Sequence, residues 1–400
     1  IKLVTTKKER RILIAAVWIA LIPVVGKYVI LAVSAALIFT VSTNFLIIAA
    51  FAACMILFVY PLFLLGTVTP SLVKYTTDSL EDNGRIVGNM EAFNTVGSIL
   101  GTFLPTFVTI PAVGTSVTFL LFSGILLALG LAYFLSGRSH LRTCAGALAA
   151  VVLCAVFGHR DSFAFWEDDL LYEGESVYNY LQVKETEDSV ILSTNVLFGV
   201  QSVRQKDGGL TGMYYDTALA APLMAGIQEK ETFDILILGM GSGTYAAQCQ
   251  EFFGGRNGQT LSIEGVEIDQ DITDLARTYF ALPEEVSVST YDGRAYLQAV
   301  DKKYDVILVD AYQDITIPFQ MSTVEFFTLV RDHLKPDGVM AVNMNMHSDG
   351  EGSINAHLCD TISSVFDSVY TADVPRTTNR ELFAAVDGDP VQWLAQRRAA

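Results

Sequence analysis

The stretch FDILILGMGSGTYAAQCQEFF, residues 233–253, decides the fold of the second half of the chain. Residues 233–238 are a mostly apolar run that predicts a strand inside a parallel sheet, and residues 245–253 predict the helix that follows. The turn between them, GMGSG at 239–243, permits close approach of the backbone to a ligand. It lacks the third, helix-packing glycine of a dinucleotide site, which favours an adenosyl ligand over NAD. The candidate ligand-binding residues of this turn are Gly239, Gly241, Ser242 and Gly243.

Strands and helices alternate on the C-terminal side of this turn. Strands are predicted near 261–268, 286–291, 304–309, 339–344, 369–372 and 381–386, and helices near 271–280, 296–300, 325–334 and 353–366. Such alternation predicts right-handed βαβ units and an α/β, doubly wound, Rossmann-like sheet. Upstream, alternating segments at 178–184, 189–193 and 200–204 predict a small β unit. Residues 214–227 predict a helix with a kink at Pro222.

Acidic residues stand where three of the predicted strands end. Glu267, after the second strand, is placed to accept hydrogen bonds from ribose hydroxyls. Asp292 can accept from an adenine amino group, while Gly293 lets the chain turn. Asp310 ends the fourth strand, where ligands of open α/β sheets bind, and a carboxylate there can orient an amine and take its proton. A solvated strand end, a common Asp-Gly turn and a helix cap are the plainer alternatives for these three acids.

The first 158 residues read as a membrane α-helical bundle. A span needs about 20 apolar residues, and runs of this kind occur at 12–39, 45–65, 86–110 and 116–135, with a shorter run at 143–157. The run at 12–39 is either one broken helix or a hairpin near Lys27. Four or five spans predict a multi-pass protein of the cell membrane with the lipid bilayer as a partner. Basic residues around 7–11, 74–85 and 138–142 place the acidic part in the cytoplasm if there are four spans, and outside if there are five.

Charge is divided unevenly along the chain. Residues 159–400 hold 38 of the 43 acidic residues and only 16 of the 26 lysines and arginines. Because phosphate binding needs clustered cations, this part argues against a nucleic-acid partner. The five cysteines form no CxxC motif and no Cys/His cluster, so the sequence indicates no metal site.

These residues and their order resemble the spermidine synthase family of aminopropyltransferases, over about residues 172–390. The segment YDVILVDAYQDITIPFQMSTVEFF, beginning at Tyr304, and ESVYNYLQV, at 175–183, carry the resemblance. The apolar half, with LLGTVTP and GNMEAFNTVGSILGTF, is similar to the multispan region of bacterial proteins fused to this domain. The resemblance implies a β hairpin domain followed by a Rossmann-like methyltransferase core, and domains at 1–158, 159–222 and 223–400.

The resemblance also implies a chemistry and the residues that carry it. The cofactor would be decarboxylated S-adenosylmethionine, and the acceptor putrescine or another small polyamine. Asp310 would be the proton acceptor. Residues implied to contact the cofactor are Glu267, Asp292, Gly293, Pro318 and Asn179, in addition to the glycine turn. Residues implied to bind the amine substrate are Asp314, Tyr215 and Asp216.

Four positions depart from the family pattern. Ser242 replaces the acid that holds the cofactor's free amine, Asn179 replaces a glutamine, Tyr215 replaces a histidine, and the segment between Asp310 and Pro318 is one residue longer. Two other functions therefore stay open. One is a methyltransferase that uses intact S-adenosylmethionine, and the other is a non-catalytic nucleotide- or polyamine-binding membrane protein. A homodimer is one open oligomeric state.

Overall fold

The computed structural model describes residues 10–38, 45–76, 80–136, 140–159, 163–164, 167, 169–194, 199–311, 317–344 and 352–399. The chain separates into two compact units. One comprises residues 1–166 with 174–177, and the other comprises residues 167–173 with 178–400. The three-part division expected from the sequence stays a prediction.

The first unit is helical. Its helices are α1 (Arg11–Ile38), α2 (Phe45–Gly66), α3 (Val68–Thr76), α4 (Leu80–Leu104), α5 (Ile110–Ser136) and α6 (Leu141–Gly158). A π-helical turn at Pro105–Thr109 follows α4. Helix α1 runs through Lys27 without a break, so the hairpin alternative for this segment was wrong, and so was the break expected in a single helix.

Four helical stretches in the described part of the chain are long and apolar enough to cross a membrane. They are Arg11–Leu37, Ile47–Lys74, Gly84–Ser136 and Leu141–Gly158. The third contains both of the spans predicted at 86–110 and 116–135. Gly114, with φ +79° and ψ 166°, interrupts the helical backbone between these two spans.

The second unit contains two sheets. The small one has four strands in the order β1 (Leu170–Glu175), β2 (Tyr180–Glu185), β3 (Ser189–Ser193) and β4 (Val200–Gln205). The last two residues of β1, 174 and 175, are counted with the first unit. The predicted small β unit is therefore larger than expected, because β1 adds a strand before the three predicted segments.

The large sheet has seven strands. They are β5 (Thr232–Leu238), β6 (Thr260–Glu267), β7 (Ser287–Thr290), β8 (Tyr304–Val309), β9 (Leu334–Met344), β10 (Ser368–Asp373) and β11 (Arg380–Ala385). The helices around it are α7 (Tyr214–Ala218), α8 (Ala220–Met224), α9 (Thr244–Phe253), α10 (Gln270–Tyr279), α11 (Gly293–Ala299), α12 (Val324–Asp332), α13 (Ile354–Ser363) and α14 (Pro390–Ala399).

The strand order of the large sheet is β10-β11-β9-β8-β5-β6-β7. Strands β5 to β9 pair in parallel, whereas β11 is antiparallel to both of its neighbours, β9 and β10. The sheet is therefore mixed, and its parallel strands, β5 to β9, contain the predicted βαβ units. Only six residues, 374–379, join β10 to β11, and a connection this short suits antiparallel neighbours, whereas parallel strands need a long crossover.

Two apolar layers cover the faces of the large sheet. Because successive side chains of a strand point to opposite faces, Ile235 and Ile237 join one layer and Leu236 and Leu238 the other. All four are at most 1% exposed. Both faces of the sheet are thus packed with apolar side chains, so side chains that contact a ligand must come from the strand ends.

The helix predicted at 214–227 is two short helices, α7 and α8, separated at Leu219. The predicted kink at Pro222 lies inside the first turn of α8 and not at the break. Proline has no N–H to donate to the carbonyl four residues earlier. The helical bonding is therefore lost near Ala218, one turn before the proline.

Candidate functional site

The glycine turn begins where β5 ends. Gly239 has φ +83°, and a Cβ at this position would lie 2.6 Å from the carbonyl oxygen of Asp310. Only glycine fits there, because the conformation and the space both exclude a side chain. The backbone nitrogen of Gly241 donates to Glu267 Oε2 over 2.9 Å. The turn therefore holds the acid of the neighbouring strand in place.

The far side of the turn rests on β4 of the small sheet. The backbone nitrogen of Ser242 donates to Ser202 Oγ over 3.1 Å, and Thr244 Oγ1 donates to the carbonyl of Val203. Gly243, with φ +83°, is the residue that precedes α9. The side-chain hydroxyl of Ser242 is buried and has no hydrogen-bond partner among the described residues.

Glu267 is the last residue of β6 and is 7% exposed. Its Oε1 accepts from the backbone nitrogen of Asp269 over 3.1 Å, while Oε2 accepts from Gly241. Burial raises the pKa of Glu267, and these backbone hydrogen bonds oppose the rise. Each carboxylate oxygen has a second lone pair, so Glu267 can still accept from ligand hydroxyls.

Asp292 follows β7 and caps α11, since its Oδ1 accepts from the backbone nitrogen of Ala295 over 2.8 Å. The sequence offered a common Asp-Gly turn as the plainer alternative for Asp292, and the structure shows a helix cap there instead. The residue also lines the cavity described below. A Cβ on the adjacent Gly293 would lie 3.4 Å from Met321 Cε, an ordinary van der Waals contact.

Asp310 directly follows β8 and is 7% exposed. Its Oδ2 accepts from the hydroxyl of Tyr214 over 2.6 Å, and its Oδ1 accepts from Asn343 Nδ2 over 2.8 Å. Burial raises the pKa of Asp310 to about 7, although both hydrogen bonds oppose the rise. Both donors are neutral, so the carboxyl group is held in place without a cation and can exchange a proton near neutral pH.

One cavity of about 300 Å³ brings most of these groups together. Among the residues predicted from the sequence, it is lined by Gly239, Glu267, Asp292, Gly293, Asp310 and Pro318. Further lining residues are Tyr178, Thr194, Gln201, Ile268, Tyr291 and Met321. The carboxyl ends of parallel strands converge at one end of a sheet, which is why acids far apart in sequence share a cavity.

Six of the predicted residues that the structure describes are not among those that line the cavity, and three of them are Gly241, Ser242 and Gly243 of the glycine turn. The other three are engaged elsewhere. Asn179 donates to Asp269 Oδ2 over 2.8 Å, and its neighbour Tyr178 is the residue that lines the cavity. Tyr215 is buried and donates to the carbonyl of Gln201. Asp216 Oδ1 accepts from Thr211 and Gln248, and its Oδ2 accepts from the backbone of Gly212. These contacts tie α7 to its surroundings, and the amine-binding roles of Tyr215 and Asp216 stay predictions.

Asp314 lies outside the described residues. The structure adds two contacts of Asp310 that the sequence did not predict. Tyr214, the residue just before Tyr215, reaches Asp310, and so does Asn343, the only polar residue in the otherwise apolar run VMAVNM at 339–344. A polar side chain near the end of a buried strand was the available signal for Asn343.

The cavity suits an adenosyl sulfonium molecule. Ile268, Pro318 and Met321 line the cavity with apolar surface, and Glu267 lines it with a carboxyl group. The buried carboxyl of Asp310 suits a positively charged group. A volume of about 300 Å³ lies at the small end of ordinary ligand sites.

The strand order, the glycine turn and the antiparallel β11 define the class of this unit, which is a Rossmann-like methyltransferase fold preceded by a small antiparallel sheet. Residues 221–386 match the spermine/spermidine synthase domain family. The chain therefore contains a spermine/spermidine synthase domain.

Relatives with similar sequences are named as polyamine aminopropyltransferases. The chain is 59% identical over 272 residues to a probable polyamine aminopropyl transferase of Bifidobacterium longum, a match that covers 68% of this chain and 59% of the relative. The chain thus spans less than two thirds of that relative. A polyamine aminopropyltransferase of Vibrio vulnificus is 27% identical over 263 residues, covering 63% of this chain and 83% of the relative.

Solved structures with a similar fold include a spermidine synthase in complex with the transition-state analogue AdoDATO. It is 19% identical, with a TM-score of 0.46, and the match covers 56% of this chain and 76% of that one. A probable spermidine synthase from Corynebacterium glutamicum is 22% identical, also with a TM-score of 0.46, covering 56% and 85% of the two chains.

Proposed function

We propose that this chain is a membrane-anchored aminopropyltransferase that moves an aminopropyl group from decarboxylated S-adenosylmethionine to a small polyamine such as putrescine. One observation carries the proposal. The buried Asp310 carboxyl is held by two neutral donors, Tyr214 and Asn343, in a cavity that it shares with Glu267. The polyamine aminopropyltransferases among the relatives support the same reaction.

The proposed chemistry is a substitution at carbon. Amines of this kind have pKa values near 10 and arrive protonated at neutral pH. The Asp310 carboxylate binds the ammonium and accepts its proton. The amine nitrogen then forms a bond to the propyl carbon, and the carbon–sulfur bond breaks with its electron pair going to sulfur. Methylthioadenosine leaves as a neutral thioether.

The remaining site residues would bind and position the substrates. Glu267 would accept from the ribose hydroxyls, and Asp292 from the adenine amino group. Pro318 would contact the adenosine. The backbone of the glycine turn would approach the cofactor closely, since Gly239 leaves no side chain in the way. Asp314 would assist Asp310 in binding the amine.

Membrane attachment belongs to the same proposal. The four apolar helical stretches have the length and composition of spans. We place the acidic unit in the cytoplasm, because its proposed cofactor is a cytosolic metabolite. This placement requires four crossings, so that the short run at 143–157 does not cross the bilayer.

Turnover tests the proposal. The full chain in detergent, given decarboxylated S-adenosylmethionine and putrescine, should release methylthioadenosine and aminopropylated amine in equal amounts. Asp310→Asn is the matched variant and should lose this activity. Absence of both products from folded wild-type protein would overturn the proposal, and equal activity in the variant would remove Asp310 from the mechanism.

A methyltransferase is the second candidate, and Ser242 favours it. Its hydroxyl is buried, has no partner among the described residues and stands where related enzymes carry an acid. A hydroxyl can donate to the carboxylate of intact S-adenosylmethionine, whereas an acid would repel it. Calorimetric titration with the two cofactors separates these functions, because only the intact cofactor carries that carboxylate. Tighter binding of the intact form would favour the methyltransferase.

A further inference from the structure

Glu381 is a buried acid that the proposed mechanism does not use. It lies in β11 and is 0% exposed. Neither of its carboxyl oxygens has a hydrogen-bond partner among the described residues. A buried polar group without a partner costs stability. Such a group suggests a ligand that is bound during function.

The sheet register places Glu381 beside the Asp310 network. Glu381 pairs directly with Asn343 of β9, so the two side chains lie on the same face about 5 Å apart at Cβ. Asn343 donates to Asp310 Oδ1 over 2.8 Å and accepts from Asn379 Nδ2 over 2.9 Å. Alternation along β11 puts Phe383 on the same face, in the layer that contains Tyr214 and Tyr245.

The cavity, Asp310 and Glu381 follow one another across the strands of the large sheet. The cavity lies over the ends of β7, β6 and β5 and reaches Asp310 at the end of β8. Glu381 lies two strands further, on the side of Asp310 away from Glu267. Two strand spacings are about 10 Å. A short aliphatic diamine with a hydrogen bond of about 3 Å at each end can bridge such a distance.

We propose that Glu381 binds the distal ammonium of the acceptor amine, so that the enzyme selects a diamine over a monoamine. This inference rests on the proposed function and names its acceptor class. Asp310 faces the reacting nitrogen, and Glu381 takes the other nitrogen of the same molecule. The family acid that Ser242 replaces holds the free amine of the cofactor, so its role differs from the role proposed for Glu381.

Binding should be coupled to the release of a proton. Burial, and then the nearby Asp310, raise the pKa of Glu381 well above its ordinary value, so the free protein holds this carboxyl neutral. An ammonium ion bound to it favours the carboxylate. The other ionisable side chains of this apolar layer are Tyr214, Tyr215, Tyr245 and Cys249. Burial raises the pKa of each, so all four stay neutral at pH 7. Glu381 should therefore lose its proton when the diamine binds.

The test compares putrescine with 1-aminobutane, which has the same carbon chain and one nitrogen. In the wild type, kcat/KM should favour putrescine. In Glu381→Gln, KM for putrescine should rise about 10- to 100-fold, the effect of losing a hydrogen bond to a charged group, while the values for 1-aminobutane change little. Asp373→Asn, on the neighbouring strand, is the matched control, because it removes an exposed acid without touching this face.

Calorimetry provides a readout independent of turnover. Putrescine titrated into the full chain with methylthioadenosine, in two buffers of different ionisation enthalpy, should release a proton that Glu381→Gln does not release. Glu381→Asp should retain part of the diamine preference, which separates loss of charge from loss of folding. A thermal melt of each variant confirms that it is folded.

The outcomes distinguish the two proposals. An active wild type whose diamine preference survives Glu381→Gln would overturn this inference and leave aminopropyl transfer standing. Absence of transfer, together with putrescine binding that depends on Glu381, would overturn the reaction and leave the amine site standing. Absence of both would overturn both.

Discussion

The seven-stranded sheet carries buried acids near the amino ends of its strands and at their carboxyl ends, and the two groups differ in what surrounds them. Near the amino ends, Asp305 is fully buried and binds Lys230 over 2.7 Å and Lys335 over 2.6 Å. Asp234 binds Lys335 over 2.9 Å and Lys302 over 2.7 Å. Although burial opposes it, the contacts with Lys302 and Lys335 lower the pKa of Asp234.

At the carboxyl-end side, Glu267, Asp310 and Glu381 are equally buried, and no salt bridge to a lysine or arginine is found for them among the described residues. Burial raises the pKa of each. Within the described part of the chain, Asp234 and Asp305 are therefore paired with lysines of the fold, whereas Glu267, Asp310 and Glu381 are not. Acids with fixed partners stabilise the fold, whereas acids without them are available for a cationic ligand.

The largest effect that we expect is the loss of activity in Asp310→Asn. An amide cannot accept the proton of the attacking amine, so kcat should fall about 10²- to 10⁴-fold. The measurement is methylthioadenosine release at saturating substrates. Asp373→Asn should keep wild-type kcat. A variant with more than a tenth of wild-type kcat would contradict the role of Asp310 as proton acceptor.

At the amino ends, Asp305→Ala should destabilise the fold without changing the chemistry. Removing one partner of a buried ion pair costs about 3–5 kcal/mol, so the melting temperature of the second unit should fall by about 10 °C. Activity per folded molecule should be unchanged at low temperature. A melting temperature within about 2 °C of wild type would show that these pairs do not hold the sheet.

The pH dependence of turnover reports the acid at the carboxyl end. Asp310 must be ionised to accept a proton, and its pKa is about 7. We expect kcat/KM to rise about tenfold per pH unit below pH 6 and to level off above pH 8, because kcat/KM reports the free enzyme. The profile is measured on the full chain with substrate concentrations well below KM. A flat profile between pH 5 and pH 8 would indicate a different base.

The buried carboxyl of Asp310 should make the stability of the fold depend on pH. The folded protein keeps the Asp310 proton up to about pH 7, whereas the unfolded chain loses it near pH 4. The folded state therefore loses stability as the pH rises between these values. Asp310→Asn removes this cost and should raise the melting temperature by about 3–6 °C at pH 8. The difference should vanish near pH 4.

Much of the candidate site was predictable because it is local. A strand, a glycine turn and a helix are consecutive in sequence, and acids at the ends of parallel strands converge in any sheet of this kind. Glu267, Asp292 and Asp310 line one cavity for this reason. The same local reasoning predicted the boundaries of β8 and of β3 without error.

The remaining contacts depend on strand order and register. Sequence patterns do not reveal that β11 lies between β9 and β10, or that Glu381 pairs with Asn343. The contact between Tyr214 and Asp310 joins residues 96 positions apart. The resemblance to the family implied that the neighbouring Tyr215 binds the amine substrate, and it implied no contact for Tyr214.

The most direct test of the account compares the dissociation constants of decarboxylated S-adenosylmethionine and methylthioadenosine for the full chain. The two molecules share the adenosine group, and only the first is positively charged. If the acids at the carboxyl ends await a cation, the wild type should bind the charged molecule at least about tenfold more tightly, and Asp310→Asn should reduce this ratio. Equal affinities in the wild type would contradict the account.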